Sequence, residues 1–168
     1  MNEPTRDEGL THLDGRGRAR MVDVSGKDVT VRTATATGHV EVSAEVVRLL
    51  REGGVPKGDA LAVARIAGIQ AAKRTPDLVP LCHPLAIHGV TVDLEVLDDH
   101  VAIEATVRTA DRTGVEMEAL TCVAVAALAL VDMVKAVDPS TVIGGICLQE
   151  KTGGRRGHWT RDADAATR

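Results

Sequence analysis

The chain has 168 residues, enough for one domain with a buried core. Trp159 stands without any Phe or Tyr, so the core must come from Ala, Val, Leu and Ile, and there is no platform of rings on which single-stranded nucleic acid could stack. A formal net charge of −4 also argues against a general nucleic-acid binder.

Residues 1–20 are rich in charge and glycine, show no hydrophobic period and read as a mobile arm; their polar start is not a secretory leader. A strand follows over Val29–Val42, where Val29, Val31, Thr33 and Thr35 alternate with small or polar residues. Ser43 is placed to cap a helix over Ala44–Arg51 that ends at Gly53-Gly54. Asp59 caps a second helix, Ala60–Arg74, with Leu61, Ala64, Ile66, Ile69 and Ala72 expected toward the core. The segment Thr75–Pro84 carries Pro76, Pro80 and Pro84 and reads as non-helical. Two strands, Ile87–Leu97 and Val101–Ala110, are joined by a turn at Asp98-Asp99; Val90, Val92, Leu94 and Val96 share one face of the first. A long helix over Val115–Ala136 is stopped by Asp138-Pro139. Its apolar run, Cys122–Val131, is too short to span a bilayer and marks a buried helix. The last strand is Thr141–Gln149, and a Gly- and Arg-rich tail follows.

With the two early helices taken as one layer element, the order is β-α-β-β-α-β. That order predicts an α+β, ferredoxin-like fold: an antiparallel sheet with helices packed on one face. The chain divides into an arm (1–20), a single domain (21–159) and a flexible tail (160–168). Cys82, Cys122 and Cys147 form no C-x-x-C pair and read as reduced thiols of a cytoplasmic protein. No membrane role follows from any segment.

Several stretches carry chemistry. In Asp77-Leu-Val-Pro-Leu-Cys-His-Pro-Leu85, Val79 and His83 each precede a proline and are pushed into extended geometry, so Leu81-Cys82-His83 is held between two rigid points. A stiff crossover with a hydrogen-bonded His fits the same residues equally well. Zinc is disfavoured, because the His and Cys residues lack ligand spacing. In Gly114-Val-Glu-Met-Glu-Ala-Leu120, Glu116 and Glu118 are about 200° apart around a helix. They are therefore expected to face opposite ways, one functional and one structural or interfacial. Asp132 and Lys135 are neighbours at i,i+3. Spacing alone slightly favours a solvent ion pair, yet these charges interrupt an otherwise apolar helix, where an acid and base with tuned pKa values would sit. Basic residues gather at Arg16, Arg18, Arg20 and Lys27, at Lys57, Arg65, Lys73 and Arg74, and at Lys151-Thr-Gly-Gly-Arg-Arg-Gly157. Such clusters in an acidic chain point to a compact polyanion, such as a phosphorylated metabolite.

These stretches together resemble the cyclic pyranopterin monophosphate synthase family, which acts in molybdenum cofactor biosynthesis. The resembling residues are Met21-Val-Asp-Val-Ser25, Lys57-Gly-Asp59, Ala64-Arg-Ile-Ala-Gly-Ile-Gln-Ala-Ala-Lys73, Leu81-Cys-His-Pro-Leu85, Thr113-Gly-Val-Glu-Met-Glu-Ala-Leu-Thr121, Asp132-Met-Val-Lys-Ala136 and Lys151-Thr-Gly-Gly154. They run in family order from about Leu10 to Trp159. Departures fall at Val131, Val134 and the Arg-Arg of the tail, and touch packing and phosphate contacts only.

The resemblance implies a lyase that rearranges a 3′,8-cyclised dihydro-GTP into cyclic pyranopterin monophosphate and releases diphosphate. It implies Asp132 and Lys135 as catalytic residues. It implies Leu81, Cys82, His83, Met117 and Glu118 as substrate contacts, with Lys57, Lys73 and Lys151 serving the phosphates or the rearrangement. No cofactor is required, although magnesium is compatible with the substrate phosphates. A homohexamer, built as a trimer of dimers with active sites at a subunit interface, is also implied. The distance from Glu118 to Asp132, about 21 Å along one helix, fits a site made from two subunits. A non-catalytic nucleotide-binding module and a purely structural oligomer are the rival readings, and turnover of the cyclised GTP derivative separates them.

Overall fold

Small side chains decide how closely the layers of this fold approach. In the computed structural model, which describes residues 12–154 and 157–161, strand β1 (Thr30–Glu41) buries Ala34, Ala36, Gly38 and Val40. The alternate set, Val29, Val31, Thr33 and Thr35, from which the period was read, faces away from the core; Val29 and Val31 are 55% and 52% exposed. The reason is the approach of helix α4 (Glu116–Val134). A Cβ on Gly38 would lie 2.8 Å from Val123 Cγ1, so a branched residue there would push the helix off the sheet.

The same device joins α4 to helix α2 (Ala60–Lys73). A Cβ on Gly68 would meet the Cys122 carbonyl at 2.9 Å and Ala126 at 3.1 Å. Helix α2 turns Ala60, Ala64, Gly68, Ala71 and Ala72 inward, and this rotation leaves Ile66, expected in the core, 59% exposed. Asp59 accepts from the Ala62 N–H at 3.0 Å and caps α2. Helix α1 (Ala44–Glu52) is capped by Ser43 and stopped by Gly53 at φ 71°, a left-handed conformation that glycine adopts without Cβ strain.

The segment expected to be non-helical contains one short helix, α3 (Thr75–Leu78). Pro76 lies in its first turn, where the missing N–H has no intrahelical partner to lose. Beyond it, Val79 is extended at φ −118°, ψ 100°, as a residue before proline should be.

Strands β2 (Ile87–Val96) and β3 (His100–Asp111) form the expected hairpin, closed by the Leu97 N–H on the His100 carbonyl. Strand β4 (Val142–Thr152) runs past its expected end, so Lys151, read as tail, sits in the ladder opposite Ala34. A two-residue strand, β5 (Trp159–Thr160), adds to its edge. The sheet order is β2-β3-β1-β4-β5 with every neighbouring pair antiparallel. With its helices on one side, this is an α+β, ferredoxin-like fold.

By length and mean hydropathy (2.0), α4 could cross a membrane. Here Ala119, Cys122, Val123, Ala126, Ala127 and Leu130 are all fully buried, packed with α2 and the sheet, and α4 is the central helix of the core. Of the expected arm, residues 12–20 make a small antiparallel turn with Leu13 bridged to Ala19, tied by Asp14 to the N–H groups of Arg16 and Arg18. The remainder of the arm (1–11), residues 162–168 of the expected tail, and Arg155 and Arg156 of its basic cluster lie outside the described residues.

Candidate active site

The residues singled out from the sequence fall into two groups, one at each end of α4. At the C-terminal end, Asp132 projects from the last turn. Lys135, the residue that ends the helix, places Nζ 2.8 Å from Asp132 Oδ1. Lys57 comes from the turn before α2, where Gly58 at φ 102° reverses the chain, and its Nζ donates to both Oδ2 and the backbone carbonyl of Asp132 at 2.8 Å. The hydrogen bond from Lys135, then that from Lys57, holds the Asp132 carboxyl down to about 2. Asp132 is thus a fixed anion between two ammonium groups, open to solvent on its remaining side. Sequence reading paired Asp132 with Lys135 and gave Lys57 to the phosphates or the rearrangement, without a link to Asp132; that link spans 75 residues and leaves no local pattern.

At the N-terminal end of α4, Leu81, Cys82, His83, Met117 and Glu118 line one cavity of about 450 Å³. The crossover after α3 supplies the first three, with the Cys82 N–H bonded to the Val79 carbonyl across Pro80. His83 Nε2 lies 2.6 Å from the Val22 carbonyl. A carbonyl only accepts, so Nε2 carries a proton and Nδ1 is the nitrogen left for a ligand.

Glu116 and Glu118 line this same cavity, contrary to the expectation that they face opposite ways. Glu116 starts the helix and its carboxylate folds back beneath Gly114, so the helical angle does not fix its direction; a Cβ on Gly114 would collide with that carboxylate. Their tasks do differ. Glu116 takes Lys151 Nζ at 2.6 Å. Glu118 is 3% exposed, and burial, with the Glu116 charge as a smaller cause, pushes its carboxyl up to about 7. The same surroundings raise the Cys82 thiol, burial first and then the two glutamates. Cys122 beneath them is pushed to about 12 by burial and is inert packing.

Lys151 therefore joins the N-terminal group through Glu116. Lys73 stands exposed at the end of α2. Helices α2 and α4 run antiparallel, with Lys57 beside Asp132 and Gly68 over Cys122, so Lys73 lies toward the N-terminal end of α4. His12, Val22, Val24 and Lys27 also line the cavity; the sequence reading placed Lys27 in a basic cluster that pointed to a phosphorylated metabolite and gave the other three no individual role. Among the described residues no group of three or more His, Cys, Asp or Glu is placed to hold a metal ion. Another cavity, of about 430 Å³, is lined by residues that include His39, Glu41, Asp99, His100 and Asp138, and holds none of the candidate site residues.

The MoaC family model matches residues 21–154, a span that includes both groups. The chain is 66% identical over 158 residues to a cyclic pyranopterin monophosphate synthase of Streptomyces avermitilis, covering 94% of this chain and 93% of that protein. It is 69% identical to the protein of the same name from Streptomyces coelicolor, covering 90% of this chain and 89% of that one. A protein of Mycobacterium tuberculosis, cyclic pyranopterin monophosphate synthase 2, is 60% identical, with 93% of each chain covered. The chain belongs to the MoaC family.

Proposed function

We propose that this chain is a cyclic pyranopterin monophosphate synthase, a lyase of molybdenum cofactor biosynthesis. Its substrate is (8S)-3′,8-cyclo-7,8-dihydroguanosine 5′-triphosphate, and its products are cyclic pyranopterin monophosphate and diphosphate. The observation that carries the reading is identity of 60–69% to proteins of that name across nine-tenths of the chain.

In this proposal Glu118 and Cys82 meet the guanine-derived ring. A buried carboxyl that straddles neutral pH can accept from ring N–H groups when ionised and donate when protonated. Met117 and Leu81 supply apolar contact in a protein that has almost no aromatic rings to stack. His83 offers Nδ1, with Nε2 committed to the Val22 carbonyl.

Asp132 is the acid/base and Lys135 its catalytic partner, with Lys57 completing the group. As long as both lysines bind it, the carboxylate is a weak base, because its proton affinity is too low. Substrate phosphate drawing the ammonium groups away raises that affinity at the moment a proton must move. Closing the cyclic phosphate breaks a phosphoanhydride bond, and the charge that builds on departing diphosphate is met by Lys57, Lys73 and Lys151.

The two groups are too far apart on one helix for a single small substrate, so each site is shared between subunits; the homohexamer, a trimer of dimers, is what the resemblance to the family implies. It includes no resident cofactor and no role for nucleic acid or a membrane. Magnesium enters only as a companion of the substrate phosphates, and the enzyme is placed in the cytoplasm. The test is to supply the cyclised GTP derivative and look for the cyclic phosphate product and diphosphate. Asp132→Asn should fold and assemble yet lose nearly all turnover; retained activity would overturn the mechanism.

A further inference from the structure

Residues 21–27 lie between the arm and β1 and belong to no helix or strand. They nevertheless carry the Val22 carbonyl, which accepts the hydrogen bond from His83 Nε2 at 2.6 Å. Whatever holds that carbonyl in place therefore also holds the His83 ring. The segment is stiffened from within: the Ser25 N–H donates to Asp23 Oδ1 at 2.8 Å, and the Lys27 N–H to the Val24 carbonyl at 3.0 Å. These two bonds make residues 23–27 one compact turn that moves as a unit.

The far end of this turn has its own anchor. Arg112 Nε donates to the Lys27 carbonyl, 85 residues away in sequence, at 2.9 Å. Arg112 in turn stands on the sheet. Its N–H donates to Asp111 Oδ1 at 2.7 Å, and Asp111 ends β3 opposite Thr30, with its carbonyl bonded to Arg32 Nε at 3.0 Å. Among the described residues, the bonds from His83 and from Arg112 are the hydrogen bonds that join residues 21–27 to the rest of the fold. Val22 and Val24 add apolar contact in the cavity wall, but such contact has no direction and does not aim a carbonyl. With Arg112 in place the segment is held at both ends; without it, ring and segment are free to shift together.

We propose that Arg112 is a positioning residue for His83: by clamping the Lys27 carbonyl it fixes the Val22 carbonyl, and through it the imidazole that faces the cavity. The inference rests on the preceding reading for its substrate, but its first measurement does not need turnover. That measurement is NMR of the full-length protein labelled with nitrogen-15 in its histidine rings, the His83 signal being assigned by its loss in His83→Ala. In the wild type, the Nε2–H bonded to Val22 should give a resonance protected from exchange with water. In Arg112→Ala, and in Arg112→Met, which keeps the apolar stem, that resonance should broaden away. In Arg112→Lys, which restores a cationic donor, it should return.

Arg112 is exposed, so these substitutions should leave the thermal midpoint nearly unchanged, which separates a positioning role from a merely structural one. With the cyclised GTP derivative, Arg112→Ala should lower kcat/KM roughly tenfold through loss of one orienting hydrogen bond, and Arg112→Lys should recover most of it. A protected His83 N–H in either neutral variant, or none in the wild type, overturns the proposal. So does a kcat/KM in Arg112→Ala equal to that of the wild type. If the resonance behaves as expected but the wild type does not turn over the cyclised derivative, the enzymatic reading fails while the clamp on His83 stands.

Discussion

Asp132 and Glu118 are carboxylates of one helix held in opposite regimes, one down to about 2 by two ammonium groups and one up to about 7 by burial. Each regime can be tested at the residue itself. For Asp132, the hydrogen bond from Lys135 is the larger cause, so Lys135→Met should raise its pKa more than Lys57→Met does. Carboxyl titration by NMR reads both shifts, and the reverse order would contradict the geometry. For Glu118, the folded pKa lies above the ordinary 4.5, so the folded state holds a proton that the unfolded state releases. Its stabilising contribution is complete below about 4.5 and is lost as pH rises through about 7. The loss amounts to at most about 3 kcal/mol, from about 1.4 kcal/mol per pKa unit. Glu118→Gln should therefore flatten the fall in thermal midpoint between pH 5 and pH 8; an unchanged fall would place the pH dependence elsewhere.

At the scale of elements, contact between α2 and α4 depends on Gly68. Ala ordinarily favours a helix over Gly by about 1 kcal/mol. Here the added methyl would sit 2.9 Å from the Cys122 carbonyl oxygen, a backbone atom that cannot step aside. Overpacking costs about 1–3 kcal/mol and outweighs the gain, so Gly68→Ala should lower stability in urea denaturation. A stabilised variant would show that the helices can part freely. This glycine also shows what the sequence revealed and what it hid. Ser43, Asp59 and Gly53 set helix ends by local chemistry, and those ends were legible. The inward face of β1 was not: its Val and Thr residues carry the stronger β-propensity signal, but close packing of α4 required the small residues of the opposite face. Nor was the outward turn of Ile66, because an alanine-rich helix such as α2 has two faces of similar hydrophobicity.

Across the whole molecule, the motifs pointed to a set of candidate residues but not to how they group. Leu81 to His83 and Met117-Glu118 were legible as a set. The joining of Lys57 to Asp132, of Lys151 to Glu116 and of His83 to the Val22 carbonyl depends on long-range folding and became visible only in three dimensions. The result is two half-sites about 21 Å apart along one continuous helix. A single subunit cannot close both around one nucleotide, so under the proposed function neighbouring subunits share each site. Dilution should abolish turnover in step with loss of the oligomer, monitored by sedimentation.

Mixing two inactive variants gives the most direct test. Asp132→Asn and His83→Ala damage opposite ends of α4 and should each be inactive alone. When the two are mixed, unfolded together and refolded, random pairing across a two-fold interface should restore up to about a quarter of wild-type turnover, because each mixed pair contains one intact site. Mixed oligomers with no activity beyond that of the separate variants would contradict a site shared between subunits.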